Sequence, residues 1–249
     1  MRNLFLFLRA CLFMLGLWVI TFVFGSLSLL SIPFPKTTRY AMIVHPWCRA
    51  FIWLAQHVCG LRYQIQGGEH LATGPAILLS KHQSAWETVA YVALMPRQLC
   101  YVFKRELLYI PFFGWGIGLM DMIHINRGRA ADAFEDIVRQ GKRVLAHGKW
   151  VILFPEGTRT PVGGQGRYKS GGARLAIRTG APVIPIAVNS GECWPRNAFI
   201  KQPGLITISV GNPIPVEGKT PDQLNDQVET WIESEMRRIS PHVYHHAKG

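Results

Sequence analysis

The sequence predicts an α/β fold, with a mostly parallel or mixed sheet flanked by helices and an N-terminal hydrophobic, membrane-anchoring helical segment. Three observations carry this expectation. From Leu61 onward, short apolar runs alternate with longer helical stretches, the rhythm of an α/β layer. The runs are nearly all apolar instead of alternating, as strands covered on both faces require. Ahead of them, Ala10 to Ile32 gives about 23 residues without a charge, enough to cross a bilayer core.

The N-terminal segment comes first. Arg2 and Arg9 precede the apolar run, and Lys36 and Arg39 follow it. A cleaved signal peptide would have a shorter apolar stretch and an A-x-A-like site. No such site is apparent, so a retained anchor is expected, either spanning or dipping in and returning. The next stretch, Tyr40 to Gly60, carries two tryptophans but is interrupted by His45, Pro46, Arg49 and His57. Those interruptions make it a poor spanning helix. It reads as an interfacial helix with aromatics at headgroup depth, or else as an ordinary core helix. The expected division is an anchoring segment over 1–60 and an α/β domain over 61–249.

Seven strands are expected beyond it: "LRYQIQG", "PAILLS", "QLCYVFK", "DMIHIN", "WVILFP", "PVIPIAV" and "LITISVG". Helices are expected at Ala85 to Met95, Ala130 to Lys149 and Gly171 to Thr179. The internal proline of "PVIPIAV" suggests an edge, a bulge or a wall over which a chain lies. A last helix opens with Thr220 as N-cap, Pro221 at the first helical position and Gln223 closing a capping box. Its stripe is Leu224, Val228, Trp231 and Ile239, and it reads as a docking helix.

Composition narrows the partners. Of 249 residues, 49% are hydrophobic and only 17% charged, and the net charge is +12. A basic chain suits nucleic acid, anionic lipid or phosphorylated substrates. No reading helix, zinc finger or aromatic-basic platform is present, so no nucleic acid is expected. The five cysteines contain no C-x-x-C pair, which argues against a disulfide framework or zinc site. Reduced thiols in a cytosol-facing protein are the simple reading.

The chemistry gathers at strand ends. In "SKHQSAWETVA", His82 follows a strand and Glu87 stands five residues on. On one unbroken helix these positions would lie roughly 140° apart. A strand ending at Ser80 and a helix starting near Ser84 would let them converge, making a histidine base braced by a carboxylate. The competing reading is a capping box, in which Glu87 only bonds the N-cap amide. "FPEGTRT" sets Glu156, Gly157, Thr158 and Arg159 after another strand, where ligands of open α/β sheets bind. Glycine lets backbone approach a ligand, and arginine offers a planar fork for phosphate oxygens. A mutual Glu156–Arg159 salt bridge is the plainer alternative. "MIHINRG" delivers Arg127 in the same way, and "VFKREL" adds Lys104 and Arg105 more weakly.

In this order the motifs "HQSAWE", "IHINR", "FPEGTR" and "VIPIAV" resemble those of the glycerolipid acyltransferase family, specifically its lysophosphatidic acid acyltransferases. The resemblance covers roughly Leu61 to Pro215. It departs at Glu87, where the family's usual acid is aspartate, and at Asn126, where aspartate is common. It implies transfer of a fatty acyl group from a thioester, on coenzyme A or acyl carrier protein, to the 2-hydroxyl of lysophosphatidic acid, giving phosphatidic acid. His82 would take the hydroxyl proton while Glu87 holds the ring. Arg159 and Arg127, with Lys104, would bind the glycerol phosphate. Glu156 would orient the glycerol, Gly157 would keep the approach open, and Thr158 lies between these residues. No metal or other cofactor is implied. Membrane lipid is the expected surroundings, with the catalytic domain on the cytosolic face of the inner membrane. Rivals are a relative acting on another lysophospholipid or an amino-acid lipid, a hydrolase with Ser84 or Cys100 as nucleophile, and a non-enzymatic anionic-lipid tether.

Overall fold

The computed structural model describes residues 1–72, 74–104, 108–110, 114, 122–125 and 130–244. Its strands are β1 (Leu61–Gln66), β2 (Ile77–Ser80), β3 (Leu99–Lys104), β4 (Ile123–Ile125), β5 (Trp150–Leu153), β6 (Val183–Val188) and β7 (Gly204–Val210). Each lies on one of the seven runs expected. They form one sheet in the order β1-β7-β6-β2-β5-β3-β4. The strands β6, β2, β5, β3 and β4 run parallel, whereas β7 is antiparallel to β6 and parallel to β1. The sheet is therefore mixed.

The helices are α1 (Arg2–Leu30), α2 (Lys36–Arg39), α3 (His45–Cys59), α4 (Trp86–Leu94), α5 (Ala130–Ala146), α6 (Gly171–Thr179), α7 (Ser190–Cys193), α8 (Pro221–Ile239) and α9 (Pro241–Tyr244). Side chains alternate across the sheet as a pleat demands. Leu78, Ile152, Ile184 and Ile186 meet α1, α3 and α4 through Phe13, Phe51, Ala55, Trp86 and Ala90. Ile77, Leu79, Val151 and Val183 face the other way, toward Val138, Leu175, Leu224 and Val228 of α5, α6 and α8. Both faces are covered, which is why the strands read as continuous apolar runs. Helix α5 stops at Ala146, three residues before the expected end. Gly148 takes a left-handed φ of 72° and its N–H turns back to Leu145 O.

The expected edge, bulge or wall at Pro185 resolves as a bulge inside the sheet. Ile186 pairs with Val210, but Val183 pairs with Ile214, so the partner chain carries one extra residue there. The missing proline N–H faces that irregular stretch, outside the regular ladder. Helix α8 has the expected capping box, with Thr220 Oγ1 accepting from Gln223 N at 3.2 Å and Gln223 Oε1 accepting from Thr220 N at 2.9 Å. Its stripe is corrected: Leu224, Val228, Ile232 and Met236 are buried, and Trp231 and Ile239 flank them.

Helices α1 and α3 form an antiparallel hairpin. Arg9 Nε donates to Val58 O, and Trp47 Nε1 donates to Thr21 Oγ1. Leu6, Ala10 and Phe13 form the inward stripe of α1, and Phe13 enters the sheet core. The outer side leaves Leu4, Phe5, Leu8, Leu12, Leu15, and Trp18 exposed. Of the two readings of Tyr40 to Gly60, α3 has the packing of a core helix, with Phe51, Ile52 and Ala55 buried and Trp53 left outside.

Candidate active site

Strands β6, β2 and β5 are parallel neighbours, so the loops after them open onto one place. Strand β2 stops at Ser80, and α4 begins at Trp86. That break brings His82 Nδ1 within 3.0 Å of Glu87 Oε1. The imidazole is 15% exposed and the carboxylate fully buried. Glu87 Oε1 also accepts the backbone N–H groups of Gln83 at 2.6 Å and Ser84 at 2.8 Å. Its Oε2 accepts from Ser190 Oγ at 2.5 Å. Glu87 thus pairs with the ring and also bonds the Ser84 amide, but the capping box itself does not form, because α4 is capped at Ala85 and Ser84 Oγ accepts from Trp86 N. With Oε1 acting as acceptor, the hydrogen of the pair sits on Nδ1 and the lone pair on Nε2.

One face of the imidazole lies on Phe154, with ring centroids 3.9 Å apart and planes 15° from parallel. The backbone of His82 is held as firmly as its ring. His82 N donates to Glu156 Oε2 at 2.8 Å, while His82 O accepts from Thr160 N at 2.7 Å and Thr160 Oγ1 at 3.1 Å. The loop after β5 therefore clamps the residue after β2 on both sides of its α-carbon.

Behind the clamp lies a buried charge cluster. Lys81 Nζ sits 2.7 Å from both Glu156 Oε1 and Glu233 Oε1 and is itself fully buried. It also donates to Gly164 O at 3.1 Å. Tyr168 Oη donates to Glu233 Oε1 at 2.8 Å. Burial, and then the nearby Glu233 and Glu156, hold that phenol far above its ordinary range, so it stays a donor. A buried ammonium between two carboxylates is retained only with such dense pairing.

The expected acceptor contact of Glu156 is not what the geometry supplies. Its oxygens are engaged by Lys81 and the His82 amide, and it is 4% exposed. Nor does it pair with Arg159. Among the described residues Arg159 has no carboxylate partner, and its carbonyl accepts from Arg196 Nη1 at 3.1 Å. Gly157 and Thr158 are exposed and Arg159 is half-buried beside them. Gly157 has φ 68°, and an added Cβ would lie 2.8 Å from Lys169 Nζ, so this turn demands glycine. Arg127 and Arg105 lie outside the described residues; for Lys104 only the backbone, at the end of β3, is described.

The alternative nucleophiles are poorly placed. Ser84 is fully buried and its Oγ accepts from Trp86 N at 3.1 Å. Cys100 is fully buried in the sheet core. Sequence reasoning missed Lys81, Phe154, Thr160, Ser190 and Glu233. Of these only Lys81 carried a signal, a lysine abutting a fully apolar strand, since such groups are buried only when paired. Helix α8 is also more than a docking helix, because it delivers Glu233 to the cluster.

Comparison with known proteins places the chain in a family. The acyltransferase family model matches residues 62–189. The 1-acyl-sn-glycerol-3-phosphate acyltransferase of Pseudomonas aeruginosa is 42% identical over 238 residues, 94% of this chain and 92% of that protein. The 1-acyl-sn-glycerol-3-phosphate acyltransferase alpha of Mus musculus is 30% identical over 198 residues, 77% of this chain and 70% of its own. Among solved structures, the 1-acyl-sn-glycerophosphate acyltransferase of Thermotoga maritima superposes with a TM-score of 0.75 at 22% identity, covering 96% of both chains. On the family match and the Pseudomonas relative together, the chain belongs to the acyltransferase family.

Proposed function

We propose that the protein transfers a fatty acyl group from an acyl thioester to the 2-hydroxyl of 1-acyl-glycerol-3-phosphate, forming phosphatidic acid. The relatives named above support the reaction. The observation that carries the mechanism is the His82–Glu87 contact at 3.0 Å, with the ring still 15% exposed and the His82 carbonyl bonded by Thr160. An alcohol is a poor nucleophile at neutral pH and must lose its proton as it attacks. His82 Nε2 removes that proton, and Glu87 keeps the ring in the required tautomer and steadies the imidazolium. Phe154, stacked under the ring, favours the same charged state. The alcohol oxygen adds to the thioester carbon, and the tetrahedral intermediate collapses with cleavage of the C–S bond to give the ester and a thiolate, which takes the proton from the imidazolium.

Arg159 binds the phosphate of the acceptor, a role that Arg127 and Lys104 share in this reading. Gly157 and Thr158, exposed at the turn, let the glycerol approach. The donor is acyl-CoA or acyl carrier protein. Helices α1 and α3 bind the bilayer by the exposed apolar side of α1, with the catalytic domain on the cytosolic face. Support for this comes from the way Leu6, Ala10 and Phe13 pack inward while the other side of α1 is bare. A helix committed to the domain along one side is suited to lying against a leaflet, where lysolipid enters sideways. The excess positive charge favours anionic lipid.

The test is to supply purified protein with lysophosphatidic acid and either donor and to identify the product by mass. Phosphatidic acid formed in parent and lost in His82→Ala supports the reading. Vesicle binding without product would leave only a lipid tether.

A further inference from the structure

We propose that Ser190 is a positioning residue for acid–base chemistry, the third member of a His82–Glu87–Ser190 chain; this rests on the acyl-transfer reading above. Glu87 lies on the first turn of α4, and its carboxylate is fully buried. Three of its four contacts, those to His82 and to the N–H groups of Gln83 and Ser84, converge on Oε1. Three contacts at one point fix Oε1 in place but leave the carboxylate plane free to pivot about it, which changes the lone pair that faces Nδ1. The hydroxyl of Ser190, 103 residues away, holds Oε2 at 2.5 Å and removes that freedom. Without it, Oε2 would be a buried acceptor lacking a donor, a costly state that the side chain escapes by turning.

The turn presenting Ser190 is built to stay in place. Asn189 Oδ1 accepts from Thr207 N at 2.7 Å, pinning the exit of β6 to β7. Trp194 N donates to Ser190 O at 2.9 Å. A Cβ at Gly191 would stand 2.9 Å from Gln83 Cβ, so the turn packs directly on the residue after His82. The ionisable groups around the pair come from its own elements, Tyr91 from α4 and Glu192 from α7, and from others. Tyr91 and Tyr101 are both held well up by burial first. Lys81 and Glu156 lie across the His82 backbone, and Glu192 is tied to Ser240 and His242. None of these contacts passes through the Ser190 hydroxyl.

The experiment compares parent, Ser190→Ala, Ser190→Thr and Ser190→Val in steady-state acyl transfer to lysophosphatidic acid across pH, with thermal unfolding of each. Loss of the hydroxyl should lower kcat roughly tenfold with KM changed less than about twofold, the share of one hydrogen bond to a charged group. The acid limb of the kcat profile should move to higher pH. A Glu87 that has lost a hydrogen bond to its charged form takes up a proton more readily, and the neutral acid no longer braces the base, which acts in that direction. Threonine should restore kcat to within about twofold, while valine, matched in volume, should not. In a Glu87→Gln background, Ser190→Ala should cost less than about twofold, because the oxygen it steers is gone. Equal kcat and an unmoved acid limb in alanine and valine variants would overturn the inference, as would a full tenfold loss in the Glu87→Gln background. If alanine impairs folding, the threonine–valine pair decides by the same criteria. An inactive parent would sink the acyl-transfer reading itself, a result distinct from either.

Discussion

Two buried carboxylates grip the same histidine by different handles. Glu87, from the first turn of α4, holds the imidazole and is otherwise surrounded by neutral donors: two amides and a hydroxyl. Glu156, from the loop after β5, holds the backbone amide and is balanced by a buried ammonium that it shares with Glu233. The first arrangement sets where a proton goes. The second sets where the α-carbon sits, and it is an electrostatic knot whose members depend on one another. Orientation of a reactive group and anchoring of its chain are thus assigned to separate elements, so they should fail separately.

The largest effect should come from removing what both carboxylates serve. His82→Ala should lower kcat by about 10²–10⁴ with the fold intact, the usual worth of a positioned general base, and steady-state rates beside thermal unfolding check it. Glu87→Gln should follow with roughly a 10²-fold loss in kcat and little change in KM, since the amide keeps the size but can present a donor to Nδ1. Lys81→Met acts on the other side. It leaves Glu156 and Glu233 buried without their cation, and denaturant unfolding should show a loss of about 3–5 kcal/mol. Activity below the new midpoint should recover if anchoring and orientation are separable. Arg159→Ala should raise KM for a phosphorylated acceptor and leave a phosphate-free acceptor nearly unaffected. Equal losses on both would remove Arg159 from the phosphate site.

The smallest effect is shared by both regions. Burial first of all raises the Tyr91 phenol beside Glu87 and the Tyr168 phenol beside Glu233 well above 10. It also pushes the Cys193 thiol up from 9.0 to about 11. The unfolded chain releases these protons first, so above pH 9 it binds fewer than the folded protein does. Stability is therefore complete below pH 9 and should decline progressively above it. A melting temperature that stays flat from pH 8 to 10.5 would contradict this burial.

Much of the architecture was legible because it is written locally. Apolar runs marked all seven strands, and Thr220, Pro221 and Gln223 marked the start of α8. The His82–Glu87 meeting was open to inference because it turns only on where one strand ends and one helix begins. Its second shell of partners was not. Ser190 meets Glu87 across 103 positions and Lys81 meets Glu233 across 152. A serine after a strand and a glutamate on a helix look, one at a time, like a turn and a solvated face. The α8 stripe was misplaced for a related reason: Trp231 and Ile239 are apolar enough to suggest the seam, yet tertiary packing centred it on Ile232 and Met236. Pro185 was readable as an irregularity, but only the spacing of Ile214 against Val210 decided which kind.

The phenyl ring of Phe154 has a consequence for the order of events. With that plane covered and Nδ1 tethered, the imidazole keeps a single working corner and cannot swivel between two clients. Under the direct transfer proposed above, alcohol and departing sulfur would be served in turn at the same nitrogen, with both substrates seated along one rim.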